Sequence, residues 1–422
     1  MVATGWSRTK VRAVADVRVS NVDKKYHASE TEVRLCNYND VYYNEYVTGS
    51  IEFMRASAST AEIERFGLHR GDVVITKDSE TPDDIGVSTV VAEDVDDLVC
   101  GYHLALLRPR NGEINSVYLA KQLRTAESIK YFGANASGTT RFGLPIGAIE
   151  DMEIPLAPRP EQDQIAAVLS TVDRVIEQQA VLIAKLERIK RGLMQSLLTH
   201  GIDGDGKLRS EETHEFQDSE LGRIPSGWCV TTIGEQVALR AERGLPGLPV
   251  MSIMMTEGLV ERLSVDRRVD SKLPAEGHAL VRAGDIAYNM MRMWQGVLGR
   301  ASFDCLVSPA YVVLQPRRSM DSRFMEWLFR HRRSVREFRR WSRGVVDDRL
   351  RLYPSDLFPI KIAMPISLDE QEEIARRLAA IKSRIDAETV TLQKYRRLRP
   401  GIMQDLLTGE RRVTALLPPT GR

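Results

Sequence analysis

Residues 161–199, EQDQIAAVLSTVDRVIEQQAVLIAKLERIKRGLMQSLLT, place apolar side chains at helical spacing over 39 positions. Ile165, Val172, Leu186 and Leu193 recur in steps of seven, or fourteen across Gln179. Val168, Val175, Leu182 and Ile189 follow three positions later, and Leu169, Ile176, Ile183 and Leu197 widen the stripe. Pro160 suits a first helical turn, and Gly201 is a stop. The spacing predicts one helix of roughly 58 Å at the standard rise. A helix of that length outruns an ordinary globular core and requires a partner helix.

The chain supplies the partner. Residues 370–408, EQEEIARRLAAIKSRIDAETVTLQKYRRLRPGIMQDLLT, echo the first stretch at an offset of 209. Glu161-Gln162 returns as Glu370-Gln371, Ile165-Ala166 as Ile374-Ala375, and Gly192-Leu193-Met194-Gln195 as Gly401-Ile402-Met403-Gln404. The predicted seam of the pair holds Ile165, Val172, Leu186 and Leu193 against Ile374, Ile381, Ile385 and Ile402. The second stripe leans toward Leu378, Ile385, Leu392 and Leu406, because Arg377 and Arg384 stand where the first helix has valines. Ser367 with Glu370 reads as a capping box. Pro400 predicts a kink or an early end. Two amphipathic helices share periodicity by default, but not an identical opening dipeptide and a GxMQxLLT close at one offset. The repeat is too long for a solenoid unit, so the chain is a duplication of a domain plus a helix.

The globular parts support this reading. Gly71-Asp72 leads into Val73-Val74-Ile75-Thr76, and Gly284-Asp285 leads into Ile286-Ala287-Tyr288. Leu107-Arg108-Pro109-Arg110 matches Leu314-Gln315-Pro316-Arg317. Val11–Val19, Glu32–Cys36 and Val99–Leu107 have strand-like lengths. Tyr42, Tyr43 and Tyr46 read as the aromatic face of a strand. Asp203-Gly204-Asp205-Gly206 lacks the closing glutamate of a calcium loop, since His214 stands there; it reads as a turn. The tail after Arg412, with Pro418-Pro419, is expected to fray.

Composition narrows the function classes. A chain of 422 residues suggests two or three domains. No apolar run approaches a membrane span, and MVATGWSRTKVRAV lacks the apolar core of a signal peptide. Cys36, Cys100, Cys229 and Cys305 are scattered, which fits a reduced cytoplasmic setting and argues against structural zinc. There is no phosphate loop, no dinucleotide fingerprint, no HExxH and no nucleophile elbow. The seven histidines do not pair at metal-ligand spacing. A recognition or scaffold protein is favoured over an enzyme. Net charge is +1, but unevenly spread. Residues 1–150 hold 17 basic against 21 acidic side chains, and residues 317–351 hold 12 arginines against 5 acids.

Two equivalent domains on antiparallel helices make two readers at a fixed separation, and duplex DNA with a split site suits that geometry. On these residues the chain resembles the specificity subunit of type I restriction–modification systems. The resemblance rests on the paired EQxxIA…GxMQxLLT helices, on Leu198–Asp203, on Asp218–Trp228, and on the run Ile75–Gly86. It covers essentially the whole chain. It implies an α+β protein of two α/β target-recognition domains separated by two long helices in an antiparallel coiled coil, with internal pseudo-two-fold symmetry. The expected layout is domain 1 over 1–158, a helix over 159–200, a linker over 201–227, domain 2 over 228–366, a second helix over 367–409 and a tail over 410–422.

The resemblance further implies a non-catalytic subunit that reads one half-site of double-stranded DNA with each domain. Two methyltransferase subunits would dock on the helices, and restriction motor-nuclease subunits would join them. S-adenosylmethionine, ATP and Mg are expected in those partners and not on this chain, which is expected in the cytoplasm. Candidate DNA contacts in domain 1 are Thr76, Lys77, Ser79 and Thr81, with Arg141 in the Ser137–Arg141 loop. In domain 2 they are Asn289, Arg292 and Gln295, with Arg339, Arg340 and Arg343 in the basic run. Asn, Gln and Arg can read base edges in two-point contacts, and Arg and Lys can hold phosphate. Trp294 and Trp341 read as packing residues. The competing readings are a coiled-coil scaffold that never touches DNA and, more remotely, a self-contained methyltransferase or nuclease.

Overall fold

A computed structural model describes residues 3–262, 273–346 and 349–417. It divides into two compact units, Met1–Val181 with Val390–Arg422, and Leu182–Thr389. Each unit therefore holds one globular domain, half of the first long helix and half of the second. The linear layout expected from sequence treats the helices as separate segments. The packing instead shares them between the units.

In the first domain the strands β1 (Ala15–Val19), β2 (Tyr46–Val47), β3 (Val73–Thr76), β4 (Ser88–Val91) and β5 (Leu104–Pro109) form one sheet in the order β1-β5-β3-β4-β2. Only the β2–β4 pair in it is parallel. The apolar run Val73-Val74-Ile75 is buried on both faces, as is Leu104–Leu107. A smaller sheet, Met54–Ala58, Thr31–Cys36 and Leu98–Cys100, lies beside a second core. Helix α1 (Ser116–Leu123) covers the main sheet, and helix α2 (Arg159–Leu197) follows. In the second domain β6 (Val237–Leu239), β7 (Ile286–Asn289), β8 (Leu298–Arg300) and β9 (Tyr311–Pro316) take the order β6-β9-β7-β8. That is the order of β1-β5-β3-β4, so the duplication extends to strand order. Helices α3 (Ser322–Arg330), α4 (Arg332–Trp341) and α5 (Leu368–Thr408) complete it.

The Gly-Asp device does the same work twice. Gly71 and Gly284 take φ of +95° and +93°, a region favourable only to glycine. Asp72 is buried, accepts the His69 N–H at 2.8 Å and holds Arg108 through both oxygens. Asp285 is buried, accepts the Arg282 N–H at 2.9 Å and holds Arg240. Each turn is thus fixed by a carboxylate that also pins a neighbouring strand.

The Glu-Gln dipeptides explain themselves in the same way. Gln162 accepts the Asn115 N–H at 2.9 Å and donates to Ala157 O at 2.8 Å. Gln371 accepts the Asp321 N–H at 2.8 Å and donates to Pro365 O at 2.9 Å. Asn115 and Asp321 are the N-caps of α1 and α3. Each glutamine thus ties its long helix to the cap of the preceding domain's helix.

Within each unit the two long helices run antiparallel. In the first, Asp173 of α2 faces Arg399 of α5 at 2.8 Å, and Ile165 and Leu169 share a core with Met403, Leu406 and Leu407. In the second, Leu197 and Leu198 share a core with Ile374, Ala375 and Leu378. Of the predicted seam, Ile165, Ile374 and Ile385 are buried; Val172, Leu186, Leu193, Ile381 and Ile402 are half-buried. Val175 and Ile189 are exposed. A pair of helices covers one edge of each stripe, and the widened stripe has no third layer to meet.

Four expectations are corrected. The helix α5 does not end early at Pro400 but continues through it to Thr408; Arg399 is held by Glu45 and Asp173 on one side, and Met403, Leu406 and Leu407 are buried on the other. Tertiary anchoring there outweighs the lost backbone donor. Glu370 does not close a capping box. Ser367 Oγ accepts its N–H at 3.4 Å, but its carboxylate turns to Trp228 Nε1 at 3.0 Å, Ile202 N at 3.1 Å and Arg209 at 2.5 Å. The tail does not fray at once: Val413 is buried in the first core and Arg412 pairs with Glu161 at 2.5 Å. Tyr42 lies on a short helix, Tyr38–Tyr42, and not on a strand.

Candidate nucleic-acid interface

In domain 1, β3 runs on through Lys77 into Asp78–Ser79, which pairs with Phe142–Gly143. Between them the Ser137–Gly143 hairpin projects, closed by the Ser137–Gly143 bridge. Gly138 has φ of +140°, and a Cβ there would stand 1.9 Å from Arg141 O. Only glycine permits this hairpin. A cleft of about 440 Å³ opens beside it, lined among others by Lys24, Tyr43, Glu80, Thr81 and Arg141.

The sequence-predicted residues separate here. Thr81 and Arg141 are exposed at the cleft. Lys77 is half-buried and paired with Asp78 at 2.8 Å, while His103 holds the same carboxylate at 2.7 Å. Ser79 is buried and accepts the Thr81 N–H at 3.3 Å. Thr76 is a correction: it is fully buried, and its hydroxyl accepts the Val87 N–H at 3.0 Å. It belongs to the sheet and does not face a ligand. Sequence reasoning missed Glu80 and placed Tyr43 on the aromatic face of a strand. Tyr43 is exposed and sits edge-on to Tyr42, with centroids 4.9 Å apart. Tyr42 donates to Asp84 at 2.8 Å, which pushes its hydroxyl pKa up to about 12.

Domain 2 builds the same loops from different side chains. β7 ends at Asn289, whose Oδ1 accepts the Met291 N–H at 3.0 Å. A short turn, Met293–Gln295, follows. Arg339 of α4 lies over the Trp294 ring, 5.2 Å from its centroid, a cation–π contact. Trp294 donates to Met291 O at 3.1 Å, so it is a packing residue. Gln295 is half-buried, with an unpartnered Oε1. Arg343 pairs with the buried Asp356 and frames a second hairpin through its bridge to Arg351. Arg292 and Arg340 are exposed, and Arg340 pairs loosely with Glu337 at 3.9 Å. Along α4, Arg332, Arg336 and Arg340 fall on one exposed face at four-residue steps.

The second hairpin carries Gly344, where a Cβ would lie 2.6 Å from Arg349 O. At an offset of 206 it matches Gly138, which sets Val345-Val346 opposite Thr139-Thr140. Val345 is 99 % exposed. That match of the two hairpin glycines was the available signal for these valines. Behind this surface His331 is buried. Its Nε2–H donates to Gln195 Oε1 at 3.1 Å, and burial, then Arg332 and Arg333, lower its pKa to about 4.

Nothing among the described residues groups three or more metal-ligating side chains, and no described helix is long and apolar enough to cross a membrane. What the two hairpin surfaces offer is exposed polar, charged and apolar side chains carried by the two sheets. Residues 16–188 match the model of the type I restriction modification DNA specificity domain. The putative type I restriction enzyme MjaX specificity subunit of Methanocaldococcus jannaschii is 27 % identical over 363 residues, 83 % of this chain and 81 % of that protein. This chain is similar to type I specificity subunits. The MjaVIII specificity subunit from the same organism is 26 % identical over 330 residues, 74 % of this chain and 73 % of that one. Among solved structures, the type I S subunit of M. genitalium shares the fold at a TM-score of 0.58 and 15 % identity, with 96 % of each chain covered. The specificity-domain match runs from β1 into α2, and so spans the first hairpin surface and most of the helix that follows it.

Proposed function

We propose that this chain is the non-catalytic DNA-specificity subunit of a type I restriction–modification complex. Each domain reads one half of a bipartite site, and the helix pair sets the spacer and docks methyltransferase subunits. Motor-nuclease subunits join that assembly. S-adenosylmethionine, ATP and Mg act in those partners, and this chain supplies position and sequence choice. The observation that carries the reading is the double construction. One Glu-Gln junction mounts each of two equivalent domains on its own half of one helix pair, while the hairpin surfaces differ. A molecule built this way presents the same framework to two different targets. The surplus of acids in residues 1–150 is compatible with base reading through carboxylates, with phosphate contacts concentrated on α4 and on partner subunits.

The test is single-molecule sequencing of DNA from cells expressing the chain with its methyltransferase partner. The expected result is methylation at one bipartite motif with a fixed spacer. Inserting four residues near the helix ends lengthens the pair by about 6 Å, and the recognised spacer then grows by up to about two base pairs. Sequence-independent methylation would sink the reading. Methylation or cleavage by the purified chain alone would support a self-contained enzyme instead.

A further inference from the structure

Domain 1 is fastened to both long helices by a cluster of charges that has no full counterpart among the described residues of domain 2. Glu45 stands just before β2, Lys121 on α1 and Arg124 at its end, Asp173 on α2 and Arg399 on α5. Lys121 is only 2 % exposed. Its ammonium donates to Glu45 at 2.5 Å and to Asp173 at 2.6 Å, and sits 5.5 Å from the Tyr46 ring centroid. Tyr46 in turn donates to Asp173 at 3.1 Å. Arg399 donates to Asp173 at 2.8 Å and also to Glu45, and Arg124 joins Glu45 to Ser88 O. Three elements of different origin meet at two carboxylates.

The duplication identifies what is special here. At the offset of 206 between the two helix N-caps, Lys121 corresponds to Trp327, which packs against the core of its own domain, and Arg124 to Arg330, which binds Leu298 O at 2.7 Å as Arg124 binds Ser88 O. At the long helices' offset of 209, Asp173 corresponds to Lys382, paired with Asp386 of its own helix at 2.6 Å. Arg399 corresponds to Lys190, paired with Glu187 at 2.8 Å. Folding a domain onto the helices therefore does not require such a cluster, since the second unit manages with apolar packing, its Glu370-Gln371 junction and the His331–Gln195 bond. Buried ion clusters are poor net stabilisers compared with apolar packing, and their best attested use is to admit a single register. Apolar surfaces tolerate a slide or a small rotation; directional, charge-assisted bonds from three elements do not.

We infer that Glu45, Lys121, Arg124, Asp173 and Arg399 are positioning residues that hold domain 1 at one angle on the helix pair and so fix the rotational phase of its half-site. This rests on the specificity-subunit reading above. Duplex DNA turns once in about 10 base pairs, so a rotation of about a tenth of a turn moves the matching half-site by one base pair. The cluster would therefore determine how strictly one spacer length is required.

The experiment uses the chain with its methyltransferase partner and reads the methylated sites by single-molecule sequencing. Two variants are compared with the parent: Lys121→Met, and the milder Asp173→Asn/Arg399→Gln, which removes one charge of each sign and leaves Lys121 with Glu45. The expected result is that both half-site sequences persist while methylation at spacers one base pair shorter or longer rises at least tenfold relative to the parent spacer. A loss of methylation that leaves the spacer distribution as narrow as the parent's, in the double variant or in both, overturns the inference, because that is all a purely structural role would do. If the parent itself yields no bipartite motif, the specificity-subunit reading fails, and that result is separate from a narrow spacer in the variants.

Discussion

The two domains share a sheet order, a Gly-Asp turn and a Glu-Gln junction, yet their outward groups are of opposite character. Around the first hairpin stand Glu80, Tyr43, Thr81 and Arg141; around the second stand Arg292, Arg340, Val345 and Val346. Their fastenings differ too: beyond the Glu-Gln junction that both units share, the first adds a buried charge cluster and the second mainly apolar contacts. The shared parts are those that must fit one helix pair. The unlike parts face whatever each domain reads, so the duplicated halves are specialised at the tips and the mounts.

The largest expected effect concerns the two glutamates that open the long helices. Glu370 is nearly buried and accepts from Trp228, Ile202 N and Arg209. Glu161 is held mainly by Arg412, at two points. Removing the Glu370 carboxylate strands a buried guanidinium and two N–H donors, so Glu370→Ala should cost about 3–5 kcal/mol. Glu161→Ala should cost about 1–3 kcal/mol, since Arg412 can turn to solvent. Calorimetric melting should then show the Glu370 variant several degrees below the Glu161 variant. The reverse order would show that the second junction is not the more heavily used one.

A smaller effect, confined to one half-site at a time, tests the tips. Glu80→Gln should relax discrimination by about 1–3 kcal/mol at one position of the first half-site, because a carboxylate accepts from the cytosine amino group. Val345→Asp should do the same in the second half-site only, through a lost apolar base contact. The α4 arginines should behave differently from both. Arg332→Ala/Arg336→Ala/Arg340→Ala should weaken binding to all sequences alike and flatten the dependence of log affinity on log salt by about 0.9 per lost phosphate contact. A change of recognised sequence in that triple variant would assign α4 to base reading.

These residues also mark where sequence stops being informative. The helices, the duplication and the Gly-Asp turns are periodic or local, so spacing alone exposes them. The Gly138–Gly344 offset was equally legible and pointed to the valines. The charge cluster was not, because Glu45 and Arg399 are 354 positions apart and no local pattern announces a partner so distant. Thr76 misled for a related reason: a polar residue after a turn suggests surface, but its hydroxyl satisfies the Val87 N–H inside the sheet. Glu370 had the spacing of a capping box and was claimed by tertiary donors instead. Local rules fail where a side chain has a stronger partner far along the chain.

The smallest effect distinguishes the two mounts by acid. His331 has its pKa lowered from 6.5 to about 4, chiefly by burial. Its neutral form is the stable one, so its contribution is complete above pH 6.5 and is lost as pH falls from there toward 4. At pH 5.5 the loss should be about 1 kcal/mol. Glu45 is shifted the other way in effect: burial opposes its charge, but Arg124, Lys121 and Arg399 prevail and hold it at about 2 against 4.5. Its contribution is complete above pH 4.5 and falls only as pH drops toward 2. Between pH 6.5 and 5, hydrogen exchange should therefore quicken around α4 and the end of α2, while the helix α1 region keeps its protection. His331→Gln, which can still donate to Gln195, should remove that selective response. Equal acid loosening of both regions, or a response that survives His331→Gln, would place the sensitivity elsewhere than in the neutral mount of domain 2.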